Sequence, residues 1–405
     1  MRTLSPLAFL KTAERTARHF GFSPVSELPP VENEAKSRMA LAAALSGYER
    51  DVAEDMLLRT AGACLASGER QPRFIFSLHA GTGRSATPQD GAALALAVVG
   101  VQKSIAEALL IQTLRALFSD FGYQHTVRVN CLGDRDSLAR YGRELAVYLK
   151  RRLESMPPRA RELMREDALT AFFHLVETGH ELCAHSPNPL ECLSDYSRRH
   201  FREIIEYLEM TEMSYEIDPR LLGGGLWRAD TLFAFELRDA ADAPLENPPI
   251  RARGGRLDAS IRHLFNDEAP AAGALVLLRG EAGQQRRRAP AASGAGRWPP
   301  PRRASAAGRG PSLFLVQLGF APKIRALALL DALRHERIAV RQALASDSLS
   351  EQLRQAEECG VRFTLILGQR EFVERTIIVR DMGARSQHAV PYETLIPHLQ
   401  RLLKG

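Results

Sequence analysis

Val127-Arg-Val-Asn-Cys-Leu-Gly-Asp134 is the stretch that decides the fold prediction for this chain. Its valines predict a short strand, and Gly133 ends that strand in a turn. Two later segments belong to the same pattern, Leu193-Ser-Asp-Tyr-Ser-Arg-Arg-His-Phe201 and Tyr215-Glu-Ile-Asp-Pro-Arg-Leu-Leu222. We therefore expect these three segments to build one core of strands and helices.

Apolar periodicity extends this core in both directions. Apolar residues at three- and four-residue spacing predict helices over residues 6–21, 101–121, 135–154 and 197–210. Residues 231–236 are rich in strand-forming residues and alternate imperfectly.

The composition is that of a soluble globular protein with two or three domains. The 405 residues are 45% hydrophobic and 25% charged, and the net charge of +6 favours a polyanionic partner only weakly. The five cysteines are odd in number and match no disulfide framework, which indicates a reducing compartment. No apolar run is long enough for a signal peptide or a membrane span. We therefore predict a cytoplasmic protein without a membrane segment.

Residues 280–312 break the composition pattern, because Gly, Ala, Pro, Ser and Arg dominate and few residues there can enter a core. Three interpretations stay open. The segment is a flexible tether, a basic arm that contacts phosphates, or an out-of-frame tract in a GC-rich gene. In each case it separates a unit at 1–279 from a unit at 313–405.

Strand and helix patterns alternate through residues 313–405. Apolar strands are predicted at 313–318 and 363–367, and Ser348-Leu-Ser-Glu351 has the pattern of a capping box that opens a helix. Strand-forming segments at 376–380 and 387–390 flank a turn. The alternation predicts a small α/β domain with a mostly parallel sheet.

Taken in order, the central segments resemble the core of the histidyl-tRNA synthetases, a family of class II aminoacyl-tRNA synthetases. Gly254-Gly-Arg-Leu-Asp258 is similar to the family's second histidine-binding signature, and Pro270-Ala-Ala-Gly273 to the start of its motif 3. Phe314-Leu-Val-Gln-Leu-Gly319 and residues 359–368 resemble its anticodon-binding domain.

The resemblance implies an α+β fold for the chain. A class II synthetase-like antiparallel sheet with helices is expected in residues 1–279, and a small α/β anticodon-binding-like domain in residues 313–405. The family is homodimeric through its core, so a homodimer is expected as well.

The positions that carry the family's chemistry hold other residues. Aligned without a gap from Pro219, the signature arginine falls on Gly223, its aspartate on Leu226 and its paired tyrosines on Trp227 and Arg228. The family's two acceptors for histidine fall on Ala93 and Ala97, and the second-signature tyrosine on Leu257. A glycine cannot replace a guanidinium group. Arg228 and Arg279, which is off register for motif 3, are the remaining catalytic candidates.

Three further groups of residues are candidates by resemblance or by charge. The family's arginine-rich hairpin should precede Gly100, but residues 74–87 leave too short an interval for a full strand, loop and strand. The candidate substrate wall is Gly254, Gly255 and Arg256, where the glycines indicate either a close backbone approach to a ligand or a turn. The candidate nucleic-acid contacts are Lys323, Arg354, Arg362 and Arg370, and no metal site is predicted.

These positions predict a histidyl-tRNA synthetase-like protein without full aminoacylation activity that keeps a tRNA- or partner-binding role. An active histidine–tRNA ligase, with ATP and Mg²⁺ as its cofactors, is the first alternative. A regulatory subunit resembling that of ATP phosphoribosyltransferase, which normally lacks the C-terminal domain, is the second.

Overall fold

A computed structural model describes residues 4–28, 52–66, 72–80, 91–222, 227, 230–239, 241–279 and 313–404 of the chain. Its contacts divide the chain into two compact units, Met1–Arg279 and Gly280–Gly405. Residues 280–312 lie outside the described ranges, so the three interpretations of this segment stay predictions.

The first unit is built on an eight-stranded sheet with the strand order β1-β2-β3-β8-β7-β6-β4-β5. The two edge pairs, β1–β2 and β4–β5, are parallel, and the five pairs between them are antiparallel. The strands are β1 (Ser23–Pro24), β2 (Arg73–Ala80), β3 (Gly91–Val99), β4 (Gln124–Cys131), β5 (Tyr215–Ile217), β6 (Thr231–Arg238), β7 (Ile250–Arg256) and β8 (Ala271–Arg279).

Eight described helices accompany this sheet: α1 (Pro6–His19), α2 (Val52–Ala66), α3 (Ile105–Asp120), α4 (Arg135–Lys150), α5 (Pro158–Leu163), α6 (Ala168–Glu177), α7 (Asp195–Met210) and α8 (Asp258–Phe265). The helices predicted around residues 6–21, 101–121, 135–154 and 197–210 are confirmed as α1, α3, α4 and α7. The predicted strand at 127–129 extends over the whole of β4.

Helices cover both faces of the sheet. On one face the ring of Phe118 from α3 lies 5.1 Å from the ring of Phe235 in β6. On the other face α2 packs against β2, β3 and β8, and its Leu57 lies over Gly273. Every residue of β3 is buried, which explains why its sequence is continuously apolar instead of alternating.

The stretch that decided the prediction is fixed by side-chain hydrogen bonds. The Asn130 amide donates to the carbonyls of Pro219, at 3.2 Å, and Leu221, at 3.0 Å, which ties β4 to the segment after β5. Asp134 caps α4 by accepting from the Ser137 amide at 2.9 Å, and it also accepts from the Ser194 hydroxyl at 2.6 Å. Ser194 in turn caps α7. The turn therefore starts two helices at once.

The second unit is a five-stranded sheet in the order β10-β9-β11-β12-β13. Its strands are β9 (Leu313–Gln317), β10 (Val340–Gln342), β11 (Phe363–Leu367), β12 (Thr376–Asp381) and β13 (Gln387–Pro391), and its helices are α9 (Phe320–His335), α10 (Leu349–Glu358), α11 (Gln369–Glu374) and α12 (Tyr392–Lys404). The predicted cap is confirmed, since the Ser348 hydroxyl accepts from the Glu351 amide at 3.3 Å.

The prediction of a mostly parallel sheet was wrong for this unit. Strands β10, β9 and β11 are parallel, but β12 pairs antiparallel with both β11 and β13. A parallel return needs a crossover of about a dozen residues or more, and residues 368–375 between β11 and β12 are too few for one.

Within the described residues of both units, no helix combines the length and the apolar character that a membrane crossing requires.

Gly254 provides a direct test of the packing in the first unit. A β-carbon at Gly254 would lie 2.4 Å from Phe233 Cζ and 2.5 Å from the Gly273 carbonyl oxygen. Gly254→Ala should therefore lower the free energy of unfolding by about 2–3 kcal/mol, the usual cost of overpacking a core. Urea denaturation of the purified protein measures this change.

Gly142→Ala is the matched control for Gly254→Ala. Gly142 lies inside α4, and its nearest neighbour to a new β-carbon is Leu169 Cδ1 at 3.8 Å. The higher helix propensity of alanine should leave stability unchanged or raise it by up to about 1 kcal/mol. Equal effects of the two substitutions would contradict the packing described for Gly254.

Candidate functional site

The positions aligned with the family's histidine acceptors lie on one face of the large sheet. Ala97 of β3 pairs with Gly273 of β8, and Gly273 pairs with Gly255 of β7. Ala93 pairs with Leu277 of β8 in the same way. Because paired residues of antiparallel strands share a face, these positions lie side by side beneath α2.

Apolar side chains fill the space above these positions. A β-carbon on Gly273 would lie 2.7 Å from Leu257 Cδ1 and 2.9 Å from Leu57 Cδ1. Leu57, Leu257, Ala93 and Ala97 are buried and belong to the same hydrophobic cluster. The place where the family's histidine acceptors are expected is therefore packed core.

Trp227 is the described member of the signature segment around Gly223. Its indole is buried, and the Arg253 guanidinium stacks over its ring at 5.1 Å. Gly223, Leu226 and Arg228 lie outside the described residues, so the roles predicted for them stay predictions. Arg279 is exposed at the end of β8, where its Nη1 donates to Asn247 Oδ1 at 3.5 Å.

The inference that residues 74–87 leave too short an interval for a hairpin was wrong. Strands β2 and β3 form an antiparallel pair along their lengths, from Arg73↔Val99 to Ala80↔Ala92. The hairpin extends to Val99, beyond the interval of residues 74–87 that was counted along the sequence. The loop between the two strands, residues 81–90, lies outside the described ranges.

Gly254 and Gly255 lie within β7, so the interpretation of this pair as a turn was wrong. The space around them is occupied by protein atoms, since a β-carbon on Gly255 would lie 2.3 Å from the Thr231 carbonyl oxygen and 3.2 Å from Trp227 Cδ1. The glycines allow β6, β7 and the Trp227 ring to approach closely.

Arg256, a candidate substrate residue, is buried at the end of β7. Its Nη1 donates to the Val101 carbonyl at 3.1 Å and to Glu107 Oε2 at 3.3 Å, and its Nη2 donates to both Asp258 carboxylate oxygens at 3.1 Å. The guanidinium group thus joins β7 to the start of α3 and to α8.

Glu107 extends this network to α7. Its Oε1 lies 2.8 Å from His200 Nε2, and the carboxylate has no exposed surface. Burial alone would raise the pKa of Glu107, but Arg256 and His200 hold it below its ordinary value. Burial opposes a charge on His200, yet Glu107 raises the His200 pKa above its ordinary value. Both shifts favour the ion pair, and its buried position between α3 and α7 indicates a structural role.

Asp230 is the fifth member of this charged group. Burial, and then the neighbouring Asp258 carboxylate, raise the pKa of Asp230 to about 7. Cys131 lies nearby, and burial raises the pKa of its thiol to about 12, so it is not a nucleophile at neutral pH. Sequence analysis missed Glu107 and Asp230. A single acid among the apolar residues of 105–111 was the available signal for Glu107.

Acidic neighbours compensate three of the four candidate nucleic-acid contacts in the second unit. Lys323 is buried and its Nζ lies 2.5 Å from Asp347 Oδ1. Arg354 pairs with Glu358 and with Glu351, and Arg370 pairs with Glu374 at 2.8 Å.

Arg362 differs from the other three candidates, since its guanidinium group stacks over the Phe363 ring at 4.9 Å and no described acidic side chain pairs with it. Arg341 lies near the same end of the sheet, where its Nη1 donates to Cys359 Sγ at 3.4 Å. These two arginines are therefore cations near the start of β11 that no described acidic side chain engages.

Ala97→Glu tests whether the aligned histidine position is packed. A carboxylate there would meet Leu57 and Leu257 without a partner, so we expect a loss of about 3 kcal/mol or more in unfolding free energy. Chemical denaturation followed by circular dichroism measures it.

Ala234→Glu is the control on the same face of the sheet. Ala234 is half-buried between Arg128 and Arg253, its cross-strand partners, and either arginine can pair with a new carboxylate. We expect a change within about 1 kcal/mol for this variant. Equal tolerance of both glutamates would mean that the site under α2 is open and solvated.

Asp230→Asn tests the charged network through pH. Because the folded-state pKa is raised, the folded protein keeps a proton that the unfolded chain releases between about pH 4 and 7, so stability falls as pH rises through this window. The asparagine side chain of the variant does not titrate, so the variant does not lose stability in this pH window. Relative to the wild type, the variant should gain about 1–3 kcal/mol at pH 8 and little at pH 4. Thermal unfolding at both pH values measures the difference, and a gain independent of pH would contradict the assignment.

Comparison with known proteins found one matching family model and several similar sequences. The family model described as an anticodon binding domain matches residues 320–402. The histidine–tRNA ligase of Thermosynechococcus vestitus is 26% identical over 311 residues, which cover 75% of this chain and 66% of that protein. The histidine–tRNA ligase of Syntrophotalea carbinolica is 25% identical over 314 residues, covering 76% and 68%.

The chain thus spans about two thirds of the length of the curated relatives it matches. Among solved structures, apo histidyl-tRNA synthetase of S. aureus superposes with a TM-score of 0.48 at 15% identity, covering 98% of this chain and 97% of that one. This chain is therefore similar to histidine–tRNA ligases over about three quarters of its length, and its residues 320–402 match an anticodon binding domain.

Proposed function

We propose that this protein binds tRNA through its C-terminal unit and does not activate histidine. The observation that carries the second half of the proposal is the apolar packing of Leu57 and Leu257 over Gly273, beside Ala97. Binding of an imidazole and an ammonium group requires hydrogen-bond acceptors, because an unpaired polar group in a dry site costs several kcal/mol, roughly 2–7.

The residues at this place do not fit a histidine ligand. Ala93, Ala97 and Leu257 carry no side-chain acceptor, and the volume that a ligand would need is occupied by leucine side chains. The candidate cations for ATP are Arg228, outside the described residues, and Arg279, which is exposed at the edge of the unit. We therefore propose no step that involves ATP or Mg²⁺.

The RNA-binding half of the proposal rests on the anticodon-binding model at residues 320–402 and on the arginines near the start of β11. Arg341 and Arg362 are available for phosphate contacts, whereas Lys323, Arg354 and Arg370 are engaged by acids within the domain. Backbone phosphates attract such unpaired guanidinium groups in a salt-dependent way.

Histidine-dependent exchange between ATP and pyrophosphate is the test of the missing activity. We expect no exchange above background with histidine, Mg²⁺ and the full-length protein, and we expect no thermal stabilisation by histidine. A histidine-dependent exchange at the rate of an authentic histidine–tRNA ligase measured alongside would favour the active-enzyme alternative.

Filter binding with bulk tRNA tests the RNA-binding role. The double variant Arg341→Gln/Arg362→Gln should weaken binding about tenfold and reduce the dependence of log Kd on log salt, because two phosphate contacts are lost. The matched double variant Arg354→Gln/Arg370→Gln removes two compensated arginines and should change binding by less than about threefold. Similar effects of both pairs, or no binding by the wild type, would contradict this proposal.

The matched anticodon-binding model does not favour a regulatory subunit of ATP phosphoribosyltransferase, since that subunit normally lacks such a domain. The homodimer expected from the family and the cytoplasmic location remain predictions.

A further inference from the structure

A cleft of about 360 Å³ opens on the large sheet across β4, β6, β7 and β8. Three arginines from two strands, Arg128, Arg251 and Arg253, line it together with Glu236. None of the positions aligned with the family's substrate groups lines this cleft. The cleft adjoins the filled histidine position on the same face of the sheet, since its lining residue Leu277 pairs with Ala93.

The strand register brings the three arginines around a small floor. Arg128 pairs with Ala234, Ala234 pairs with Arg253, and Arg253 pairs with Leu275, so these residues form one row across the sheet. Adjacent strands lie about 4.8 Å apart, so the backbones of Arg128 and Arg253 are separated by two strand spacings. Only the methyl group of Ala234 lies between them. Arg251 stands two residues along β7, on the same face.

Buried carboxylates hold two of these arginines from the protein side. Asp218 pairs with Arg128, and Glu54 accepts from Arg253 Nη2 at 2.9 Å; both acids are nearly inaccessible to solvent. Each guanidinium group has five N–H donors, so one paired edge leaves donors for a ligand. The stacking of Arg253 on Trp227 restricts it further. Such preorganisation lowers the entropic cost of binding.

Arg251 supplies the charge that is not compensated. No acidic side chain among the described residues pairs with it, and it is exposed at the edge of the cleft. Glu236, the acid in the lining, lies 3.9 Å from Arg128. Buried carboxylates thus neutralise two of the three lining arginines, and Arg251 remains as the cation that attracts an anionic ligand to the cleft.

The geometry points to a binding site for a small phosphorylated molecule. A phosphomonoester has three terminal oxygens, and separate guanidinium groups can each donate to one of them. The cleft is larger than a phosphate ion, since sites for small organic ligands begin at about 300 Å³. The apolar lining residues Leu245, Pro248 and Leu277 then contact the organic part of the ligand. This inference does not depend on the tRNA-binding role.

Thermal shift and isothermal titration with four probes test the site: orthophosphate, ribose 5-phosphate, ribose and ATP. Ribose 5-phosphate should bind and stabilise the full-length protein, orthophosphate should bind more weakly, and ribose should not bind. Binding of ATP alone would overturn the proposal, because it would assign the cleft to a nucleotide. No binding of either orthophosphate or ribose 5-phosphate would overturn it as well.

Two variants locate the site within the cleft. Arg251→Gln should weaken ribose 5-phosphate binding about tenfold, the usual effect of losing one charge-assisted hydrogen bond, without changing the melting temperature of the free protein. Ala234→Leu should abolish binding by filling the floor.

Arg262→Gln is the matched control for Arg251→Gln. Arg262 is exposed on α8, pairs with Glu268 and does not line the cleft, so its loss should leave the affinity unchanged. An equal loss of affinity in the Arg251 and Arg262 variants would show non-specific attraction and overturn the proposal.

Discussion

The buried carboxylate of Glu107 is the interaction on which the first unit depends. It lies at the start of α3, accepts from Arg256 at the end of β7 and contacts His200 of α7 at 2.8 Å. Removing one partner from such a group leaves an uncompensated buried charge, which costs about 3–5 kcal/mol. The network therefore fixes the position of two helices relative to the sheet, and Asp258 continues it to the first turn of α8.

The residues that hold this fold together differ from the residues at the aligned ligand positions. The residues that keep the frame, such as Asn130, Asp134 and Arg256, make hydrogen bonds within the protein and need no ligand. The residues at the aligned ligand positions are alanines and leucines that pack against one another. The fold and the aligned ligand positions thus depend on different side chains.

Much of the fold could be predicted from the sequence, because a helix or strand with one buried face has apolar residues at regular spacing. The stripes of α3, α4 and α7, the Asn130–Gly133 turn and the Ser348 cap all follow local rules. The candidate site could be predicted only in part. The alignment located Ala93, Ala97 and Leu257, but no local signal indicated that Leu57 of α2 lies over Gly273. Lys323 and Arg370 were predicted as RNA contacts from their charge alone. Each forms an ion pair within the domain, Lys323 with Asp347 and Arg370 with Glu374 one helical turn away. The antiparallel direction of β12 could not be predicted from the alternation of strands and helices. It results from the short connection between β11 and β12.

The leucine packing over Gly273 also bears on how the family can change over time. A working binding pocket keeps polar groups and solvent in the interior, and this lowers stability relative to a filled core. Because apolar side chains occupy that space in this chain, a substitution there to a polar acceptor gives a less stable protein. On stability alone, a new ligand site therefore arises more readily at exposed positions of the sheet than at this filled one.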